Sequence, residues 1–325
     1  MAHFWQGKEM PYCQVLIAIF EQVGNSEFQD FLRAHIKQKT LARIIMDECH
    51  YAVFSRHDDF RPGMVALSTL VSLGVPLVLL TATALITCTT KLLDFYGVPG
   101  ARVIQASTNC PNIEYVVKEI RRPDLDQDDT KYVYQEIKKA IEKYMLMGGK
   151  KLIVYLQVKE LLNKIFALSH SDPETTEPWM RYHASMQPKK KKAALEAWVQ
   201  VILSTSALGL GLNARDCALI LLYQPPRTMV EYVQESGWAS WDGSSARAVL
   251  LWNCKPQSKD RVMDYFLTTS LCRCRVLFGY MDGEASDCLS LPGDNLLCDN
   301  CATAITNTAE VHRASLPEPN TIIAP

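Results

Sequence analysis

Short apolar blocks alternate with longer amphipathic stretches along most of the chain. Cys13 to Ile19, Arg43 to Glu48, Val75 to Thr83 and Ala101 to Ala106 are largely apolar runs of strand length. Between them, Asn25 to His35 (opening behind Ser26), Met64 to Leu73 and Leu85 to Tyr96 carry apolar residues at helical spacing,. The pattern then repeats. Strands are predicted at Ile113 to Ile120, Leu152 to Leu156, Arg181 to Met186, Val201 to Ala207, Ala218 to Tyr223 and Ala246 to Trp252. Helices are predicted at Tyr132 to Leu146, Val158 to Ser169, Lys189 to Trp198 and Glu231 to Glu235. Strand–helix alternation of this kind predicts an α/β chain built on parallel sheets. The end, Ala302 to Pro325, is polar and Pro-flecked and reads as a disordered tail,.

Length and composition add bounds. A chain of 325 residues holds about two domains, and 48% apolar with 21% charged residues describes an ordinary globular protein,. The formal net charge of -1 gives no global basic field, so any nucleic-acid contact must come from local patches,. The one basic run, Lys189-Lys190-Lys191-Lys192, fits a solvated helix face, a phosphate contact or a nuclear import signal,. Six of the eleven cysteines are scattered and five crowd between 272 and 301. That distribution favours reduced thiols with one metal cluster over a secreted disulfide framework. The first residues have no basic-then-apolar signal layout,. The most apolar run, Val71 to Thr87, is broken by Gly74, Pro76 and several hydroxyl residues. It reads as a helix end, a turn and a buried strand, with no membrane span.

Candidate chemistry begins where the run Arg43-Ile44-Ile45-Met46 ends in Asp47-Glu48-Cys49-His50. A buried parallel strand delivers such acids to its C-terminal edge, where open α/β sheets bind ligands. Nucleotide hydrolases need an Asp there to hold Mg²⁺ through its water shell and a Glu to orient the attacking water. Asp47 and Glu48 fit those roles, although chance surface acids are far commoner than metal-binding pairs. One strand-helix unit later comes Leu80-Thr81-Ala82-Thr83-Ala84.

From these two segments onward the chain resembles a RecQ-type superfamily 2 DNA helicase. Asp47 to His50 resembles motif II, with His50 in interlobe coupling, and Thr81 and Thr83 resemble the hydroxyls of motif III. Asp59-Phe60-Arg61-Pro62 resembles the end of the family's aromatic-rich loop, where Phe60 and Arg61 are implied DNA contacts; packing of Phe60 beside Pro62 is the plainer reading,. Ser107 to Tyr115 resembles the lobe-joining segment, with Cys110 where the family has Arg. Lys151 to Gln157 resembles motif IV, followed by Tyr182-His183-Ala184. Ser204 to Leu212 matches motif V, implying nucleotide or DNA contacts at Ser204, Thr205, Gly209 and Gly211; the next residue is Asn213 in place of an acid. Trp198 is almost directly followed by the strand at Val201, which shortens a turn the family normally has.

Gln234-Glu235-Ser236-Gly237-Trp238-Ala239-Ser240-Trp241-Asp242-Gly243 aligns with motif VI, Q-E-S-G-R-A-G-R-D-G. Gln234 keeps its contact role, but both arginines are Trp, and Arg247 lies too far along to substitute. No G-x-x-x-x-G-K-[ST] phosphate loop occurs; Gly7-Lys8 and Gly148-Gly149-Lys150-Lys151 have the wrong context,. The resemblance therefore implies a chain that begins after the P-loop strand. It further implies a first lobe that lacks its central strand and offers an edge to a protein partner. In the cysteine group it implies a structural Zn²⁺ on Cys272, Cys288, Cys298 and Cys301, with Cys274 spare. Unliganded core cysteines are the alternative.

The implied architecture is two RecA-like parallel-sheet lobes, the first truncated, then a small helical zinc-binding subdomain. Its boundaries are 1–106, 107–254 and 255–303, with a tail at 304–325. The resemblance implies a nuclear 3′-to-5′ DNA helicase of recombination and repair, using ATP and Mg²⁺ on single-stranded or forked DNA. Its catalysis is expected to be impaired. The alternative is a non-catalytic DNA- or partner-binding remnant.

Overall fold

The computed structural model describes residues 2–5, 13–50, 67–83, 85–120, 129–145, 151–175, 177–209, 216–239, 243–253, 260–291 and 295–314. The chain divides into two units, Met1–Thr108 and Asn109–Pro325.

In the first unit, β1 (Ala2–Phe4) pairs in parallel with β2 (Val15–Ile17), and two helices follow, α1 (Phe20–Val23) and α2 (Ser26–Lys37). The Asn25 side chain accepts from the Glu27 amide at 2.8 Å, so the cap lies one residue before the predicted opening at Ser26,. A second parallel pair joins β3 (Ile44–Met46) to β4 (Leu77–Leu79), and α3 (Thr89–Phe95) follows. Trp5, Phe28, Leu32, Met46, Leu70 and Tyr96 share one core.

The sequence predicts longer strands here. Among the described residues the two ladders remain separate, so one continuous first-lobe sheet is not formed. Ala101 to Ala106 forms no strand, and its Ile104 is 84% exposed. An apolar run becomes a strand only where a neighbouring strand takes its backbone groups.

The second unit is a six-stranded, all-parallel sheet. Its strands are β5 (Ile113–Glu119), β6 (Lys151–Leu156), β7 (Met180–Tyr182), β8 (Val201–Ser204), β9 (Cys217–Tyr223) and β10 (Ala246–Trp252). They lie in the order β5-β10-β9-β6-β8-β7. Alternate residues face opposite layers. Leu152, Val154, Leu219, Leu221 and Val249 pack with Ile137 of α4 (Asp129–Tyr144) and with Leu162 and Ile165 of α5 (Lys159–Ser171). Ile153, Tyr155, Ile220, Leu222 and Leu250 share the other core. That core takes in Tyr232 of α7 (Met229–Ser236), Phe266 of α8 (Arg261–Thr268) and Phe278 of α9 (Arg273–Met281). Helix α6 (Pro188–Glu196) starts with Pro188 and carries the four lysines, of which Lys189, Lys190 and Lys192 are exposed. Coverage of both faces explains why β9 is buried at every position,.

In the short link after α6, Trp198 is buried and its indole N–H donates to the Gln200 carbonyl at 3.1 Å. Arg247 is committed within the sheet, its Nε 2.6 Å from Glu114 Oε2 and its Nη1 3.1 Å from the Tyr144 carbonyl. The last helix, α10 (Asp299–Ala314), corrects the expectation of a disordered tail from residue 304. Residues 315–325 lie outside the described residues. Within the segment 255–303, expected as a small zinc-binding subdomain, Cys272, Cys288, Cys298 and Cys301 share a core with the sheet.

Candidate functional site

In the first unit the acids stand in a turn directly after β3. The Leu80 amide donates to the Met46 carbonyl at 2.8 Å and the Cys49 amide to the Leu80 carbonyl at 3.0 Å, which brings the motif III-like segment alongside. Asp47 is exposed, and its Oδ1 accepts from the Glu48 amide at 2.9 Å. Glu48 takes a left-handed backbone, φ 50°, a conformation non-glycine residues avoid,. Its Oε2 lies 3.2 Å from His50 Nδ1, outside hydrogen-bond geometry.

His50 itself is buried. Its Nδ1 is hydrogen-bonded with Thr81 Oγ1 at 2.7 Å, and its Nε2 lies 3.4 Å from Thr83 Oγ1. His50 thus forms one polar cluster with Thr81 and Thr83, more than thirty positions away in sequence, and Glu48 stands beside it. Cys49 is a core residue: burial pushes its thiol up to about 11, and the Tyr96 hydroxyl donates to its carbonyl at 3.2 Å. A thiol so placed is no nucleophile at neutral pH. Phe60 and Arg61 lie outside the described residues.

In the second unit the motif V-like stretch leaves β8 through a short 3₁₀ turn, Ser206–Gly209. Ser204 is fully buried, and its hydroxyl is directed to the Tyr182 and Thr205 carbonyls at 3.1 and 2.7 Å. The Ser204 hydroxyl is thus used inside the fold. Thr205 is half-buried. Gly209 ends the turn, and Gly211 lies outside the described residues.

Helix α7 carries the motif VI-like stretch. The Thr228 side chain caps it, accepting from the Glu231 amide at 3.2 Å, and Gln234 is half-buried. Gly237 is required by space, since a Cβ there would lie 2.9 Å from the Val233 carbonyl oxygen. Trp238 packs against the core beyond it, and Trp241 lies outside the described residues. Sequence reasoning missed Glu235. It is 4% exposed, and neither carboxyl oxygen has a hydrogen-bond partner among the described residues. Burial, with the Glu231 charge adding to it, pushes its carboxyl up to about 8,. The Tyr155 hydroxyl in the same core is also buried without a hydrogen-bond partner among them.

The thiols of Cys272, Cys288, Cys298 and Cys301 all lie within 4.8 Å of one another and are all buried. Three of their separations are 3.5, 3.9 and 4.0 Å. A tetrahedron with Zn–S bonds of about 2.3 Å has S···S edges of about 3.8 Å, so the four could hold a metal such as zinc. Backbone amides support the sulfurs: Cys288 N–H donates to Cys272 Sγ at 3.2 Å and Arg273 N–H to Cys298 Sγ at 3.3 Å. Burial pushes the Cys301 thiol up to about 12, so four thiolates need a cation among them,. Cys274 is buried beside the set and is not one of the four.

Residues 132–239 match the model of the helicase conserved C-terminal domain. The structure is similar to S. cerevisiae Dbp5 bound to RNA and ADP BeF3, with a TM-score of 0.59, 12% identity and coverage of 95% of this chain and 73% of that one. It is also similar to the DUF1998 helicase MrfA bound to DNA, with a TM-score of 0.58, 16% identity and coverage of 88% and 39%. The parallel α/β sheet resembles the RecA-like C-terminal lobe of superfamily 2 helicases. Among curated proteins, the ATP-dependent DNA helicase Q-like 2 of Arabidopsis thaliana is 27% identical over 312 residues, covering 89% of this chain. The ATP-dependent DNA helicase Q1 of Pongo abelii is 25% identical over 311 residues, covering 86%. At this modest identity the chain is similar to RecQ-type helicases. It spans 42% and 44% of the lengths of these two relatives.

Proposed function

We propose that this chain is a RecQ-like 3′-to-5′ DNA helicase homologue that contacts single-stranded or forked DNA and is impaired in ATP hydrolysis. The observation that carries the reading is Trp238 and Trp241 at the two arginine positions of motif VI. An indole has one neutral N–H donor and no charge, so it cannot offset charge on a transferring phosphoryl group. An arginine in that role is worth roughly 10³–10⁵ in rate. The buried Glu235 one helical turn earlier supports the same reading, because among the described residues no guanidinium bonds to it. In the first unit, Asp47 would hold the water shell of Mg²⁺ and Glu48 would orient water toward ATP. His50 would tie that turn to Thr81 and Thr83. Zinc on the four thiols would be structural. The family likeness supports a nuclear location and a part in recombination and repair. Exposed Ile17, Ile19 and Ile45 are consistent with a protein partner over the first unit.

The test is steady-state ATP hydrolysis with and without single-stranded DNA. Turnover is expected at background in both; DNA-stimulated hydrolysis abolished by Glu48→Gln would overturn the impairment.

A second reading, non-catalytic DNA binding, is favoured by the lysines that α6 presents. It predicts affinity for single-stranded DNA that falls with salt. Changing Lys189, Lys190 and Lys192 to Ala should reduce the log–log salt slope by roughly 0.7 for each phosphate that is no longer neutralised. Binding indifferent to these changes would remove α6 from the interface.

A further inference from the structure

Strand β5 is an edge of the six-stranded sheet, with β10 on its inner side. An edge strand presents unpaired N–H and C=O groups that need cover. Two groups from the cysteine-rich segment supply it. The Val117 amide donates to Asp299 Oδ2 at 2.9 Å, and the Leu296 amide donates to the Pro111 carbonyl at 2.9 Å, just before β5.

Asp299 occupies a particular place, directly after Cys298 and two residues before Cys301. Its Oδ1 accepts from Arg273 Nε at 3.0 Å and from the Asn300 amide at 2.8 Å. Its Oδ2 accepts from Arg273 Nη2 at 3.2 Å as well as from Val117. Arg273 in turn directly follows Cys272, is 4% exposed, and donates to the Phe266 carbonyl of α8. The two halves of the thiol set are thus joined by an ion pair between the residues next to their cysteines. The carboxylate of that pair also holds the sheet edge.

We propose that Asp299 is a positioning residue through which metal held by the four thiols closes the β5 edge of the second unit. The inference rests on the reading that the thiols hold a metal. A metal fixes Cys298 and Cys301 relative to Cys272, and that fixes the start of α10, from which the Asp299 carboxylate reaches Val117. A carboxylate that stabilised the thiol segment alone would leave the Val117 amide indifferent to it.

The test is site-resolved amide exchange in the full chain, with metal content measured on the same samples. The wild type is expected to hold one zinc per chain and to protect Val117. Asp299→Ala, and more mildly Asp299→Asn, should retain zinc yet speed exchange at Val117 about tenfold or more, while Leu250 in β10 stays slow. Removing zinc from the wild type should speed Val117 more than Leu250. Zinc bound with unchanged Val117 exchange in both variants would overturn the proposal alone. A chain that holds and takes up no zinc would overturn the metal reading and the proposal together.

Discussion

Glu235→Gln is expected to stabilise the second unit at alkaline pH and to change little at pH 5. The native carboxyl is pushed up to about 8 by burial, against an ordinary value of 4.5. Between those values the unfolded chain has released a proton that the folded chain keeps. Stability therefore declines as pH rises, by up to about 1.4 kcal/mol per pH unit, and levels off above 8 where both states are ionised. The window of about 3.5 units amounts to roughly 5 kcal/mol, an upper bound on the order of the effect. Position 235 at the end of α7 adds in the same direction, because a helix C-terminus disfavours negative charge,. Gln is nearly isosteric and cannot ionise, so the variant keeps the shape and the unsatisfied polar burial but drops the titration. Urea unfolding from pH 5 to 9 should give curves that converge near pH 5 and separate by a few kcal/mol at pH 8.5. Parallel curves would show that Glu235 ionises at an ordinary pH in the fold.

Removing the metal is expected to have an effect of similar size. In small peptides structural zinc supplies roughly 10–16 kcal/mol of folding free energy, comparable with the whole stability of a domain. Here the sheet has its own core, so the expected loss is smaller, several kcal/mol. It should fall first on the segment from α8 to α10. Cys298 is fully buried and takes the Arg273 amide, so Cys298→Ser should lower metal content and thermal midpoint together. Cys274→Ser is the control. Cys274 lies outside the four-thiol set, and the variant should keep its zinc while losing about 1–2 kcal/mol for a buried hydroxyl,. Equal midpoints with and without a chelator would favour unliganded core cysteines.

The second unit is the more legible part of the sequence. β5, β9 and β10 fall within a residue of their predicted positions, because each is an apolar block whose two faces are both covered. The first unit is less so. Its strands are three residues long, and pairing, which decides strand length, is a nonlocal property that apolar runs do not encode. The His50–Thr81–Thr83 cluster can be anticipated only through motif order, since neither segment alone shows what it faces. Glu235 could have been found from spacing. Met229, Tyr232 and Ser236 mark one buried stripe of α7, and Glu235 lies on it beside them,. A carboxylate ordinarily argues for a solvent-facing position, and that expectation hides the stripe. The roles of Asp299 and Arg273 have no sequence signal beyond their adjacency to cysteines.

The opposite border of the six-stranded sheet is β7, which offers only Met180–Tyr182. At about 3.3 Å per residue that is roughly 10 Å of ladder, too short to seed a stable added strand. On the longer border, β5, Asp299 takes the Val117 amide at the middle of the ladder and interrupts it as a template for a second chain. Self-association by strand addition at β5 would then depend on the metal, and chelating conditions used in purification would be the ones that provoke it there.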